Sequence, residues 1–283
     1  GDRVSRRPGV GAAVARPAKW AFLLFMLAVA VFPLLWLLLN SLRTNLELQI
    51  SSFGFPARPA FENYLNAIRI ANLPLLFANS IVVAVAAVAL NLGVTAMAGF
   101  VLSREVFRGR QLISTLLTAG ILIPIISFMV PYFTLVTRTG LYDRLLTLVL
   151  VDAAVNIPVS VFIVSAFMAS IPRELEEAAI IDGCGFSQRF FRIIFPLSRS
   201  GLATAGTFCF IYAWNEFVMA MLLTSSISSR TIQLGIRFFT SQFITDYTGM
   251  FAAITISVIP SIAAYVLLHD RIIAGITAGA VKG

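Results

Sequence analysis

The sequence predicts an all-α polytopic membrane protein with six transmembrane helices and an amphipathic loop on the cytoplasmic side. Three observations support this prediction: 59% of the 283 residues are hydrophobic, 12% are charged, and the apolar residues form long uninterrupted runs. A helix needs roughly 20 such residues to cross the hydrocarbon core of a bilayer. A membrane β-barrel would show short alternating segments instead, and these runs do not alternate.

Six runs meet this length criterion, and we expect one membrane domain over residues 20–283. The runs cover residues 20–39, 76–102, 112–136, 145–168, 202–223 and 250–268. The first run follows a basic flank, as in a cleaved signal peptide, but it is too long for the apolar segment of one. Residues 1–19 are rich in Arg, Gly, Ala and Pro and are predicted to form a flexible basic tail.

The distribution of Lys and Arg predicts the orientation, because positive residues near the ends of spans are retained in the cytoplasm. Fourteen of the 21 lie in the two terminal tails, the loop after the second run and the central loop, residues 171–199. The other three loops hold seven. Both termini and the central loop are therefore expected in the cytoplasm, and the net charge of +8 needs no nucleic-acid partner to explain it.

Polar and proline residues inside the runs predict irregular helices and contacts between helices. Proline removes a backbone hydrogen bond, which neighbouring groups must replace within a membrane. The prolines concerned are Pro33, Pro124, Pro131, Pro158 and Pro260. We expect Asn79, Asn91 and Asn156 to form hydrogen bonds between helices.

Several chemical classes are excluded by the residues present. Cys184 lies in the central loop and Cys209 inside the fifth run, which does not suggest a disulfide, and no metal motif is visible. The phosphate-binding loop of an ATPase needs Gly-x-x-x-x-Gly-Lys-Ser/Thr, and neither Lys19 nor Lys282 stands in that context. Any ATP-driven process would therefore need a separate ATPase chain.

The central loop is predicted to contain two short amphipathic helices joined by a glycine turn. Pro172 suits a helix start, and residues 173–181 are good helix formers with an acidic first turn, which complements the helix dipole. Gly183 and Gly185 allow a sharp turn with a positive φ. Ser187 is expected to cap the second helix, and Pro196 to end it.

The exposed surface of this loop has two interpretations. An amphipathic segment can lie on the bilayer surface, but anionic lipid prefers basic faces, and this helix begins with acidic residues. Alternatively, the loop contacts another protein, and the small side chains of Ala178 and Ala179 would let that partner approach closely.

Three motifs resemble a known family. The central loop contains the pattern Glu177-Ala178-Ala179-x-x-x-Gly183-x9-Ile193-x-Phe195-Pro196. This pattern resembles the Glu-Ala-Ala loop of permease subunits of binding-protein-dependent ABC importers, with Phe195 where Leu is usual. The segment 212–217, Tyr-Ala-Trp-Asn-Glu-Phe, and the tail from 271 onward resemble the carbohydrate branch, and six spans resemble its smaller maltose-type subunit.

The resemblance implies a division of labour in a bacterial inner-membrane complex. Two permease subunits enclose the pathway, two ATP-binding subunits bind ATP and Mg, and an extracytoplasmic binding protein delivers the solute. This chain would bind no cofactor and would not be an enzyme. Glu177, Ala178, Ala179 and Gly183 would couple it to the ATPase.

The fourth and fifth runs contain the candidate residues for the solute pathway. Asp152 and Glu216 are each about seven residues from the expected outer face, so at ~1.5 Å per residue both lie ~10 Å deep. Carboxylates at that depth are costly unless they face a polar cavity or a partner charge. The neighbouring candidates are Tyr212, Trp214, Asn215 and Phe217. A structural role for Asn215 and Glu216, in packing the spans or pairing with a partner's arginine, is the alternative.

Two other functional classes are compatible with parts of the pattern. An ion-coupled secondary transporter would also contain kinked spans and buried carboxylates, but it typically shows repeated halves, and no internal repeat is visible. A receptor or assembly subunit would not need the central loop. Within the ABC class, glycerol phosphate, polyols and amino sugars are alternatives to a sugar.

Overall fold

The computed structural model describes residues 10–239 and 246–280, with side chains for 18–237, 239 and 246–267. All regular structure among these residues is helical, which confirms the all-α prediction. The chain divides into two compact units. The first is Gly1–Arg69 with Phe239–Thr255, and the second is Ile70–Phe238 with Ile256–Gly283.

Long helices alternate with short ones along the chain. The α-helices are α1 Val10–Ser41, α2 Asn45–Ile50, α3 Glu62–Ile70, α4 Leu73–Arg104, α5 Arg110–Leu122, α6 Met129–Arg138, α7 Leu145–Ser170, α8 Glu174–Ile181, α9 Phe186–Gln188, α10 Phe195–Leu197, α11 Arg199–Asn215, α12 Val218–Leu223, α13 Ile232–Gly235 and α14 Tyr247–Ala280. Short 3-10 helices cover Ile125–Phe128, Ile227–Ser229 and Ile236–Phe239, and a π-helix covers Arg189–Ile194.

Four helices of the described chain are long and apolar enough to cross a membrane. They contain Ala18–Ser41, Leu73–Arg104, Leu145–Ser170 and Tyr247–Leu267, and they correspond to the first, second, fourth and sixth predicted runs. Helix α1 begins at Val10, so residues 10–19 are helical where a flexible tail was predicted. Residues 1–9 of that predicted tail lie outside the described residues.

The third predicted run is not one straight helix. Arg110–Leu122 and Ile125–Arg138 are bent by 100° relative to each other. The bend lies at Ile123 and Pro124, and Ile123 has the extended conformation that a following proline favours. The expected proline kink is therefore a complete break in this run.

The fifth predicted run is also divided, into α11 and α12. Helix α11 has 17 residues and ends at Asn215, Glu216 is extended (φ −66°, ψ 125°), and α12 resumes at Val218. With one bent run and one divided run, the count of six spans stays a prediction.

The first unit is held together by polar contacts around the end of α1. Arg43 is 4% exposed, and it donates hydrogen bonds to Asn40 Oδ1 at 2.9 Å and the Glu47 carbonyl at 2.7 Å. Thr44 and Glu47 cap α2 reciprocally. Asn45 Nδ2 donates to Asp246 Oδ1 at 2.8 Å, joining the two chain segments of this unit.

The second unit is built on close packing of α4, α7 and α11. A Cβ added at Gly99 of α4 would lie 2.8 Å from Val164 of α7, and one added at Gly201 of α11 would lie 2.6 Å from Phe167 of α7. Glycine at both positions lets the helix backbones approach closely.

Of the three asparagines expected to join helices, Asn91 does so. Its Nδ2 donates from α4 to the Ala153 carbonyl of α7 at 2.9 Å. Asn156 instead donates to the Asp152 carbonyl one turn earlier in its own helix. Asn79 donates to the carbonyls of Ser228 and Arg230, both at 2.9 Å, and so anchors the loop after α12, with its short 3-10 helix, rather than a membrane-spanning helix.

Candidate functional site

The first candidate site is the central loop, whose first half is helix α8. The helix has glutamates at 174, 176 and 177 in its first turn and ends at Ile181. The Gly183 amide donates to the Ile180 carbonyl at 3.0 Å, and Gly183 has a φ of +83°. The predicted glycine turn is therefore confirmed at Gly183, whereas Gly185 has an ordinary φ of −75°.

The second half of the loop differs from the prediction at both ends. Gly185, not Ser187, occupies the N-cap position, and its amide donates to Gln188 Oε1 at 3.0 Å. Pro196 does not end the helix. It lies in α10, directly after the π-helix Arg189–Ile194, and the backbone stays helical through it. The chain then continues through Ser198 into α11.

Helix α8 has an inner and an outer face. Glu176 and Ala179 are 7% and 6% exposed and point into this chain. Glu177 and Ala178 are exposed, and so is the apolar Ile181, at 85%. The expectation that both alanines admit a partner is therefore corrected for Ala179, whose surface is already covered by its own chain.

Two ion pairs join this loop to the end of α4, and a third joins the two halves of the loop. Arg104 Nε lies 3.3 Å from Glu176 Oε1, within ion-pair distance but not aligned as a hydrogen bond. Arg189 Nη2 lies 2.9 Å from Glu105 Oε1, and Arg189 Nη1 lies 3.5 Å from Glu176 Oε2. The four side chains alternate in charge, so we call them the four-charge chain.

The second candidate site is the break between α11 and α12. The carboxylate of Glu216 accepts hydrogen bonds from the backbone amides of Met219 at 2.6 Å and Ala220 at 2.8 Å, one on each oxygen. These amides belong to the first turn of α12, where helical partners are lacking. Glu216 therefore caps the second half of a broken helix, which favours the structural alternative for this residue.

Asp152, Tyr212 and Glu216 lie within electrostatic range of one another. Asp152 is 1% exposed, and its Oδ1 lacks a hydrogen-bond partner among the described residues. Its carboxylate is within electrostatic range of Glu216, and Tyr212 is within range of both. Buried polar atoms are nearly always paired, so Asp152 Oδ1 has capacity left for a water or ligand.

The three remaining candidates are placed differently. Trp214 is 0% exposed, and its ring packs against Phe77 and Phe210 with centroids 5.3 and 6.0 Å away. As a candidate for the solute pathway, Trp214 therefore offers no ring face to a solute. Asn215 is exposed but donates to the Ile211 carbonyl of its own helix, and Phe217 is half-buried.

An apolar groove of about 540 Å³ lies elsewhere, between α4, α11 and the later part of α14. Its lining includes Val88, Phe210 and Pro260. Neither Asp152 nor Glu216 lines it, so the groove is separate from the predicted solute residues.

Comparison with known proteins decides the family. Residues 91–277 match the family described as binding-protein-dependent transport system inner membrane component. The chain belongs to this family. The match contains both candidate sites, and it confirms the resemblance derived from the central loop.

Related permeases match along nearly the whole chain. A putative ABC transporter permease protein of Caldicellulosiruptor sp. (strain Rt8B.4) is 37% identical over 94% of this chain and 97% of its own length. The sulfoquinovosyl glycerol transport system permease protein of Agrobacterium fabrum is 31% identical over 99% of both chains. A bacterial ABC transporter that imports the acidic polysaccharide alginate has the same fold, with a TM-score of 0.82, 19% identity, and coverage of 94% of this chain and 99% of that one.

Family membership settles the general role of this permease. It is a non-catalytic inner-membrane component of an ABC transporter, and it works with a second permease, an ATPase and a binding protein. Hydrolysis of ATP belongs to the separate ATPase subunit, in agreement with the missing phosphate-binding loop.

The sequence alone did not reveal the four-charge chain of this permease. Arg104 and Arg189 contributed to the prediction only as two of the 14 positive charges that orient the spans. A signal was present, because Arg104 and Glu105 place opposite charges side by side at the end of an apolar run. Their partners depend on how the loop folds back.

Proposed function

We propose that this permease forms half of the translocation pathway of an ATP-driven sugar importer and docks on its ATPase through the central loop. The observation that supports docking is the outer face of α8. Ile180 and Ile181 are 53% and 85% exposed beside the acidic Glu177. Apolar side chains next to charged ones in an aqueous loop are typical of a protein interface rather than of a free surface.

The coupling residues in this proposal are Glu177, Ala178, Ala179 and Gly183. Glu177 and Ala178 contact the ATPase from the outer face, Ala179 packs the helix onto its own chain, and Gly183 sets the turn that presents α8. An acidic residue in a first helical turn is favourable by itself. Its exposure here leaves the Glu177 carboxylate available to a basic group of the partner.

The orientation belongs to the same proposal. Both termini and the central loop face the cytoplasm, as the distribution of Lys and Arg favours, and the loop after α12 faces the binding protein. ATP and Mg bind only to the partner ATPase. The assembly contains two permease chains in a heterodimer and two ATP-binding subunits.

A sugar is the favoured solute class. The named solute of the Agrobacterium relative is a sugar glycoside, and hydroxyl-rich solutes suit a buried carboxylate with free acceptor capacity, as at Asp152. Glycerol phosphate, a polyol or an amino sugar are the alternatives within the ABC class. An ion-coupled secondary transporter is the alternative outside it.

The test is uptake by the purified complex in vesicles, with ATPase and binding protein present. We expect uptake to need ATP, the ATPase subunit and a solute-loaded binding protein, and to persist when proton and sodium gradients are abolished. Uptake that continues without the ATPase and follows an ion gradient would contradict the proposal. A panel of sugars, polyols and glycerol phosphate offered to the binding protein then identifies the solute class.

A further inference from the structure

The end of α4 is attached to both halves of the central loop. Arg104, the last residue of α4, pairs with Glu176 in the first half. Glu105, the next residue, pairs with Arg189 in the second half. Arg189 also reaches Glu176, which ties the two halves to each other.

Arg104 additionally holds the end of α7. Its Nη2 donates to the Ile171 carbonyl at 2.7 Å and also to the Met168 carbonyl. The last carbonyls of a helix lack helical partners and carry partial negative charge, so a guanidinium is well suited to them. One buried side chain, 2% exposed, therefore contacts α4, α7 and α8 together.

Apolar packing supports the same attachment. The Phe100 ring of α4 lies 5.2 Å from the Phe186 ring and 5.2 Å from the Phe190 ring, measured between centroids. Phe190 and Ile194 of the π-helix are buried in the same cluster as Met168 and Ile171. The loop thus rests on α4 through both packing and charge.

The two faces of α8 have different surroundings. Glu177 and Ile181 point outward, whereas Glu176 points inward to Arg104. Of the two faces, the inner one contacts the membrane helix α4. Glu176 is the only charged residue of that inner face among the described residues of α8.

We propose that Arg104 is the positioning residue that connects movement of the central loop to α4 and α7. This inference rests on the proposed function, since it assumes that the ATPase moves the loop. Displacing one partner of this buried ion pair would leave the other charge uncompensated, which is strongly unfavourable. Movement of Glu176 with α8 therefore carries Arg104, and with it the ends of both helices.

The experiment measures solute transported per ATP hydrolysed in the reconstituted complex. Glu176→Gln removes one charge of the pair with little change in shape, and Arg104→Gln removes the other together with the hydrogen bonds to the end of α7. We expect each to lower the transport-to-hydrolysis ratio about fivefold or more. Arg104→Lys, which keeps the charge, should recover part of the loss.

Matched controls separate the pair from general charge effects. Glu174→Gln changes an exposed residue in the first turn of the same helix, and Arg108→Gln changes an exposed arginine just after α4. Neither residue has an ion pair among the described residues. Both control variants should keep the wild-type ratio.

The double variant Arg104→Gln/Glu176→Gln completes a cycle. If the two residues act through each other, the double variant loses little more than either single variant. Independent, multiplying losses would overturn the inference, as would a wild-type ratio in Glu176→Gln. If the Arg104 variants fail to assemble, Glu176→Gln decides, because it leaves the hydrogen bonds of Arg104 to the end of α7 in place.

The outcome separates this inference from the proposed function. If the wild-type protein takes up solute without the ATPase, the proposed function itself is contradicted. If wild-type uptake is coupled to ATP and all pair variants have normal transport-to-hydrolysis ratios, only the role of Arg104 is contradicted.

Discussion

Glu216 Oε1 accepts a 2.6 Å hydrogen bond from the Met219 amide, and this bond restarts the helix that breaks at Glu216. The carboxylate therefore has a structural task in addition to its place near Asp152. This relationship changes what substitutions at the two carboxylates should do.

Glu216→Ala should lower the stability of the protein, and it should leave the choice of solute unchanged. Losing a capping side chain costs about 0.5–2 kcal/mol, and the freed amides of Met219 and Ala220 would lie in a poorly hydrated region.

Asp152→Asn should leave assembly intact and reduce uptake. Among the described residues, none donates a hydrogen bond to Asp152 Oδ1, so the substitution breaks no such bond. Thermal unfolding and uptake kinetics of both variants check this. Normal uptake and normal assembly in Asp152→Asn would take that residue out of the solute pathway.

Gly183→Ala should destabilise the central loop, because Gly183 has a φ of +83°. A side chain in the left-handed region costs roughly 1–2 kcal/mol. Gly185→Ala is the matched control, since both positions have open space for a Cβ but Gly185 has a φ of −75°. The affinity of the ATPase should be measured for both variants, and we expect it to fall only for Gly183→Ala. Equal binding by the two variants would show that the turn conformation does not matter.

Glu177→Lys should uncouple ATP hydrolysis from uptake. The substitution reverses the charge on the outer face of α8, where we place the ATPase, without touching the four-charge chain. Glu174→Lys makes the same charge change at another exposed glutamate of the first turn. Solute-stimulated ATPase activity of the complex is the measurement, and equal activities in the two variants would argue against a specific contact at Glu177.

Asp143 should make the loop after α12 sensitive to acid. Burial opposes ionisation of this carboxyl, but the amides of Ser225 and Ser226 donate to it and outweigh that effect, which brings its pKa down to about 2. Because the folded-state pKa is lowered, the carboxylate stabilises the fold above its unfolded pKa, and this contribution is lost as the pH falls from about 4 to about 2. Asp143→Asn keeps a neutral acceptor, so its thermal unfolding should show a smaller change over this pH range. Identical pH profiles would contradict the assignment.

Cysteine labelling tests the orientation. Ser228 lies in the loop after α12 and Ser187 in the central loop, and both are exposed. In a background without Cys184 and Cys209, we expect Ser228→Cys to react with a membrane-impermeant reagent from outside and Ser187→Cys to react only after the membrane is opened. The reverse pattern would overturn the proposed orientation.

Local composition was sufficient to predict several elements of the fold. The runs that became α1, α4, α7 and α14 are long and apolar, which in a membrane leaves a helix as the only way to pair every backbone group. The turn at Gly183 was also predictable, since glycine accepts a positive φ at no steric cost. Both features depend on neighbours in the sequence.

The interruptions of the other two runs were harder to predict. Pro124 indicated an irregularity in the third run, but proline also occurs inside α7 and α14 without ending them. Whether a proline bends or breaks a helix depends on the packing that can satisfy the freed backbone groups. At Glu216 the break has no proline, and the capping carboxylate is recognisable only once α12 is in place.

The sequence by itself determined the all-helical membrane class, the amphipathic central loop with its glycine turn, and the family. Only the tertiary structure decided that Trp214 is buried, that Glu216 caps α12, and that Arg104 holds Glu176 together with the end of α7. Helix formation and turn geometry follow from adjacent residues. The partner of a buried charge or indole depends on which distant segments pack together, and residue spacing along one chain does not contain that information.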